Sequence, residues 1–222
     1  MENKISILMP TRNRLDDFKI FAESWRNTTE GHSDVIIRID HDDLTYEEIK
    51  KEYPEFTYEY GERKPPIDLL NELAIKYSQT HNYVSYMEDD CNFNTNGWEK
   101  IFIDKINEIG DNAIVWGNDL INGASLVGIP FMNSSIVRRL GYIAPPQIKY
   151  LWVDHYWIRL GQALNSLYYF PDVVVEHRHY ITGKRTKDSI SDVVDIGGRN
   201  EMNTWYSFLA NGFNNDVQKL VL

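Results

Sequence analysis

A single cysteine, Cys91, stands in this chain of 222 residues. No disulfide can close within it, which fits a reducing compartment. Long apolar runs are missing too: residues 5–9 and 173–175 fall far short of the twenty or so needed to cross a bilayer. The opening residues lack the charged-then-apolar order of a secretory leader, so a cytoplasmic protein without a membrane partner is expected. Basic residues are in deficit, 23 Lys and Arg against 33 Asp and Glu, and the net charge of −10 opposes binding to nucleic-acid backbones. Arg138-Arg139 and Lys184-Arg185-Thr186-Lys187 are short basic clusters that read as solvated surface. There is no His-Glu-x-x-His, no Cys-x-x-Cys and no Gly-rich lysine loop, which disfavours a zinc protease, a zinc finger and a P-loop NTPase. Nor is there an internal repeat or a low-complexity stretch. What remains, 42% hydrophobic and 25% charged, is ordinary globular usage and enough for one core.

Hydrophobic periodicity orders that core. Residues 5–9 read as a buried strand stopped by Pro10, and Leu15, Phe18, Ala22 and Trp25 then recur at helical spacing. A second strand over 35–39 runs into Asp40-His41-Asp42-Asp43, followed by a short helix over 46–53 and a strand over 57–60. Leu70, Leu73, Ala74 and Tyr77 mark a helix from about Asp68, and the strand 83–87 ends in Glu88-Asp89-Asp90. Trp98, Phe102, Ile106 and Ile109 give a helix, 113–116 a strand, 126–132 an extended segment and 134–140 a short helix. Val153, Trp157, Leu160 and Leu164 form another helical stripe; 167–170 and 173–176 read as two strands around Pro171, and Gly197-Gly198 precedes a terminal helix over 200–209. Such alternation predicts an α/β fold with a mostly parallel sheet and helices on both faces, which binds ligands at the carboxyl ends of its strands. The polar clusters 11–14, 40–43 and 88–90 all fall there.

Adjacent carboxylates at one strand end repel one another unless a cation is present. Glu88-Asp89-Asp90 therefore reads as an oxygen-ligand site for Mg2+ or Mn2+, able to bind a diphosphate, and an apolar strand aims it more firmly than a solvated acidic turn would require.

Over residues 5–188 these motifs resemble the nucleotide-sugar glycosyltransferases with a single Rossmann-like GT-A domain, of the family-two type and in the small versions found in bacterial viruses. The run Ile7-Leu8-Met9-Pro10-Thr11-Arg12-Asn13-Arg14 looks like their opening strand and loop, which implies base and ribose contacts from Pro10, Thr11 and Arg12. Asp40 matches the acidic residue placed against uracil or ribose, while Asp43 reads as a helix cap. Asn71 matches a helix beneath the acidic motif, preceded by Arg63-Lys64 within reach of the diphosphate. Tyr86-Met87-Glu88-Asp89-Asp90 corresponds to the apolar strand and Asp-x-Asp of the family, with Glu88 and Asp89 on the donor and Asp90 on the metal; Glu in place of the first Asp is a departure. Asp154 matches the catalytic base, in a run where the usual acidic doublet is reduced to Val153-Asp154. The run 173–179 resembles a strand ending in a histidine that completes metal or diphosphate binding, with His177 and His179 on one face, and is followed, as in the viral versions, by Gly183-Lys184 and Asp188. Lys184 is placed on the donor by that match, and Cys91 reads as a small buried filler.

The resemblance implies a metal-dependent, inverting transfer of one hexosyl or pentosyl group from a UDP-sugar to a hydroxyl. The acceptor is a hydroxymethylated pyrimidine of phage DNA or a glycan; a phage-encoded chain would act in the host cytoplasm. The Gln-x-x-Arg-Trp signature of processive synthases is absent. Residues 1–95 form the nucleotide-sugar-binding half of a single domain, 96–190 the acceptor half and 191–222 a helical tail. Two other readings stand beside it: a nucleotidyltransferase acting on sugar phosphates, which should carry a Gly-rich loop that 10–14 lacks, and a non-catalytic nucleotide-sugar-binding module.

Overall fold

The computed structural model of the chain describes residues 2–221; the terminal residues 1 and 222, which the single-domain expectation spans, lie outside the described residues. In chain order the elements are β1 (Glu2–Thr11), α1 (Leu15–Thr28), β2 (Ser33–Asp40), α2 (Ile49–Glu52), β3 (Thr57–Gly61), α3 (Pro66–Tyr77), β4 (His81–Tyr86), β5 (Cys91–Phe93) and α4 (Trp98–Ile109). They continue with β6 (Ile114–Asn118), β7 (Phe131–Asn133), α5 (Ser135–Leu140), α6 (Val153–Leu164), β8 (Leu167–His177), α7 (Ser189–Asn200), α8 (Met202–Asn211) and α9 (Phe213–Val221). None of these helices is long and apolar enough to cross a membrane.

Successive side chains of a strand point to opposite faces. In β1, Ile5, Ile7 and Met9 join one core while Leu8 joins the other, and in β2 Val35, Ile37 and Ile39 separate from Ile36 in the same way. Strands buried on both faces need helices on both sides. Phe18, Phe21, Ala22 and Trp25 of α1 pack on the first face with Trp98, Phe102 and Ile106 of α4. The second face takes Leu70 and Leu73 of α3, Tyr156, Trp157 and Leu160 of α6, and Trp205, Phe208 and Leu220 from the last two helices.

The eight strands form one sheet in the order β3-β2-β1-β4-β7-β6-β8-β5. The expectation of a mostly parallel sheet needs correction: the sheet is mixed. β3, β2, β1 and β4 are parallel, as is the β6–β8 pair, whereas β7 runs antiparallel to both β4 and β6, and β5 antiparallel to β8. The chain reverses directly after the acidic turn, so β5 cannot follow the helical crossover that a parallel neighbour requires.

Two local readings also change. Pro171 does not split β8, because the register against β6 slips there, from Gly117 opposite Phe170 to Asn118 opposite Val174. A proline is tolerated at such an irregularity, where no ladder N–H is needed. Gly197 and Gly198 lie inside α7 rather than in a break, and the helix expected over 200–209 follows as α8, with α9 after it. A Cβ at Gly197 would meet the Tyr150 ring at 2.3 Å, and one at Gly198 would meet Leu151 at 2.1 Å. Glycine lets α7 lie directly on the segment that leads into α6.

Candidate active site at the carboxyl ends of the strands

A cavity of about 470 Å3 opens over the carboxyl ends of β1, β2 and β4. Pro10, Thr11, Arg12 and Arg14 come from the loop after β1, Asp40 from β2, Arg63 and Lys64 from the segment before α3, and Glu88 and Asp89 from the turn after β4. Tyr150, Leu151, Ile190, Val193 and Val194 supply an apolar wall opposite.

Arg12 donates to Asp40 Oδ2 at 2.9 Å and grips both oxygens of Asp42, at 2.5 and 2.9 Å. Asp43 accepts from the backbone N–H groups of Asn13 and Thr45 and caps the turn at 44–46. The β1 loop is thereby tied to the end of β2, with Asn13 at a φ of 52°. Thr11 Oγ1 donates to Asp89 Oδ2 at 2.7 Å, which leaves Tyr46 OH to donate its proton to Thr11 across 2.6 Å. Arg14 Nη1 reaches the other oxygen of Asp89 at 3.1 Å. Burial pushes Asp89 up to about 7, against the pull of Arg14.

Asp90 is fully buried, and its two oxygens fare differently. Oδ2 accepts from Arg185 Nε at 2.7 Å. Oδ1 has no hydrogen-bond partner among the described residues, nor has the buried Nε2 of His177, and the two face each other 3.3 Å apart. The β5–β8 register, which sets Cys91 opposite His177, brings them together. Burial alone would raise Asp90 and lower His177. Their mutual attraction, with Arg185 and Arg14 on one side and Glu88 on the other, reverses both: Asp90 falls below the ordinary carboxylate range and His177 rises to about 9. Glu88 lines the cavity and also lies 3.6 Å from His177 Nε2, joining the cavity to the pair.

With no cation bound, His177 is protonated and ion-paired with Asp90 Oδ1; a divalent cation of the Mn2+ or Mg2+ kind would fit between the two atoms by displacing that proton, with Mn2+ better suited to the nitrogen. Cys91 Sγ lies within 4.8 Å of both atoms, but burial pushes its thiol well above the usual range, so it stays protonated and is a poor ligand.

Asn71, Asp154, His179 and Lys184 are not among the residues that line the cavity, whereas Arg63 and Lys64 are. His179 turns its Nδ1 to the N–H of Ile181 and caps the turn at 180–182; its ring packs edge-on against His177 and is not grouped with Asp90. Lys184 pairs with Glu176, which precedes His177 on β8 and so points to the other face, away from the cavity. Asn71 is buried and its amide is consumed by the chain at 143–144: Oδ1 accepts from both N–H groups, at 3.0 and 3.1 Å, and Nδ2 donates to Ala144 O at 2.9 Å. Lys64 lines the cavity but is paired with Glu72, whereas Arg63 makes no hydrogen bond or ion pair among the described residues. Asp154 sits half-buried in the first turn of α6 and accepts from the N–H of His155 at 2.7 Å; burial raises its pKa.

Ser191 and Tyr46 were not singled out by the sequence, and Arg14 and Arg185 entered only as members of the 7–14 run and of a basic surface cluster. Asp188 was noted only as part of a run, yet it caps α7, accepting from Ser191 N at 2.7 Å and from Arg14 Nε and Nη2 at 2.8 and 3.1 Å. An Asp three residues before a Ser ahead of an apolar stripe is the signal that could have found the cap. Nothing local could have paired Arg185 with Asp90.

No protein-family model matches the sequence, and no curated protein matches it. Among solved structures the chain is similar to S. aureus TarS (TM-score 0.60, 15% identity, 78% of this chain and 36% of that one). It is similar to TarS 1-349 in complex with UDP (0.58, 15%, 78% and 59%). It is also similar to GalNAc-T7 with UDP, GalNAc and Mn2+ (0.62, 11%, 78% and 43%). The chain spans less than two thirds of the length of each. At these identities the likeness establishes the fold alone, a single α/β domain built on a mixed sheet flanked by helices.

Proposed function

We propose that the chain is a nucleotide-sugar glycosyltransferase that moves one sugar from a UDP-sugar to a hydroxyl acceptor with a divalent cation. The observation that carries this reading is the buried pair Asp90 Oδ1 and His177 Nε2, 3.3 Å apart without a hydrogen bond, linked through Glu88 to a cavity lined by Thr11, Arg12, Asp40, Arg63 and Lys64. The UDP in the TarS 1-349 complex and the UDP, GalNAc and Mn2+ in the GalNAc-T7 structure support it.

In this reading Pro10, Thr11, Arg12 and Asp40 hold the nucleoside, Arg63 and Lys64 neutralise the diphosphate, and Glu88 and Asp89 shape the donor side. Asp90 and His177 would hold Mn2+ or Mg2+, which when bound stabilises negative charge on the departing diphosphate. Asp154 accepts the proton of the acceptor hydroxyl as the acceptor oxygen bonds to the anomeric carbon and the bond from that carbon to the β-phosphate oxygen breaks. Attack from the face opposite the leaving group inverts the centre. Burial of Asp154 raises its basicity, as a general base working near neutrality needs. The net charge of −10 favours a glycan or small-molecule hydroxyl over a hydroxymethylated pyrimidine in DNA.

Calorimetric titration of UDP with and without Mn2+ tests the reading. Wild type should bind UDP at least about tenfold more tightly with the metal, and Asp90→Ala should lose that gain. UDP binding that is indifferent to Mn2+ in the wild type would sink it.

A further inference from the structure

Arg185 is almost fully buried and all three of its nitrogens are engaged. Nε donates to Asp90 Oδ2 at 2.7 Å, Nη1 reaches Asp188 Oδ2 at 3.2 Å, and Nη2 reaches Ser191 Oγ at 3.0 Å. Asp188 is itself fixed by Arg14 and by the first turn of α7. The guanidinium is thus anchored on one side to a helix cap and on the other to a single oxygen of Asp90.

We propose that Arg185 is a positioning residue for the cation site: by occupying Asp90 Oδ2 it fixes the carboxylate so that Oδ1 stays open toward His177 Nε2. This rests on the metal-dependent reading above. Without Arg185 the carboxylate could rotate, give an oxygen to the His177 N–H in good hydrogen-bond geometry, and close the gap. Partners behind a metal ligand commonly account for ten- to a hundredfold in metal affinity (about 10–100).

Simple electrostatics predicts the opposite sign. A fixed guanidinium repels a nearby cation, so if Arg185 contributed only charge, removing it would tighten metal binding. The direction of the change therefore decides between the two.

The experiment is direct titration of Mn2+, in the presence of UDP, into wild type, Arg185→Ala, Arg185→Lys and Ser191→Ala, with unbound Mn2+ read by electron paramagnetic resonance. Arg185→Ala should weaken Mn2+ about tenfold, with partial recovery when guanidinium ion is added below denaturing concentration. Arg185→Lys should also weaken it, because one ammonium cannot hold Asp90, Asp188 and Ser191 together. Ser191→Ala, which spares the contact with Asp90, should leave the affinity unchanged. Should Arg185→Ala not fold, Arg185→Lys decides alone. Mn2+ affinity that is equal or higher in the Arg185 variants overturns the proposal and leaves the metal-dependent reading standing. A wild type that binds no Mn2+ overturns both.

Discussion

Two carboxylates in this molecule are wholly buried at opposite ends of the sheet, and they are treated in opposite ways. Glu99, in the first turn of α4, lies beside the chain entering β2. Its Oε1 accepts from the hydroxyls of Thr29 and Ser33, and its Oε2 from the N–H groups of Glu30 and His32, the last two at 2.7 and 3.3 Å. Asp90, at the carboxyl ends of the strands, has one oxygen held by Arg185 and one facing only an equally unpartnered imidazole nitrogen. Burying a charge costs free energy unless hydrogen bonds offset it. Glu99 is saturated by its own fold. Asp90 is not: its Oδ1 has only an ion pair with His177, next to Glu88 at the cavity, and in the proposed reading a cation completes it.

The largest expected effect separates the two. Glu99→Ala leaves two hydroxyls and two N–H groups without an acceptor and should cost about 3–5 kcal/mol in chemical denaturation. Asp90→Ala strips a buried counter-charge from Arg185 and His177, but Arg185 keeps Asp188 and the repulsion among Glu88, Asp89 and Asp90 is relieved, so it should cost less, about 2 kcal/mol. Equal losses in the two variants would erase the distinction drawn between them.

In the proposed reading Asp154 extends the comparison to catalysis. It has one acceptor contact, to the neighbouring N–H, and burial raises its pKa. Asp154→Asn should lower kcat by about 10²–10⁴ while UDP and Mn2+ binding persist. A base acts when deprotonated, so kcat/KM in the wild type should climb with pH through a value above the ordinary carboxylate pKa of about 4. An acid limb at or below that value, or a variant with near-normal kcat, would remove Asp154 from the reaction.

The part of this arrangement that sequence made legible is the part built from neighbours. Strands β1, β2 and β4 declare themselves by apolar runs, and the polar residues that follow each run had to gather at one edge of a parallel sheet. Asp40, Glu88 and Asp89 do line one cavity with Thr11 and Arg12. What could not be read depends on partners far along the chain. The open pair requires Cys91 to stand opposite His177, a register set by pairing across more than eighty residues. Arg185 looked like one member of a basic surface patch until the fold carried it to Asp90. Asn71 looked available on an amphipathic helix, but its Oδ1 and one Nδ2–H are bound to the chain at 143–144. Lys184 and Arg185 show how thin the margin is: of two adjacent cations one pairs with Glu176 and the other with Asp90.

The smallest effect concerns Asp188, which is saturated like Glu99 but by charged donors and with a third of its side chain in solvent. Burial would raise its pKa; Arg14 and the N–H and hydroxyl of Ser191 outweigh that and hold it below the ordinary carboxylate range. A carboxyl depressed in the folded state lends stability above its unfolded pKa, near 4, and loses that contribution as pH falls toward the depressed value. Asp188→Asn should therefore cost about 1 kcal/mol at pH 7, discounted for exposure and salt screening, with the gap to wild type narrowing between about pH 5 and pH 2. Raising the salt concentration should shrink the same gap at pH 7 but leave the Glu99→Ala loss unchanged, since Glu99 is held by neutral donors out of reach of ions. If Asp188→Asn instead behaves like Glu99→Ala, insensitive to both pH and salt, the clamp between Arg14, Arg185 and α7 is held by packing and the charges there are free to serve the cavity.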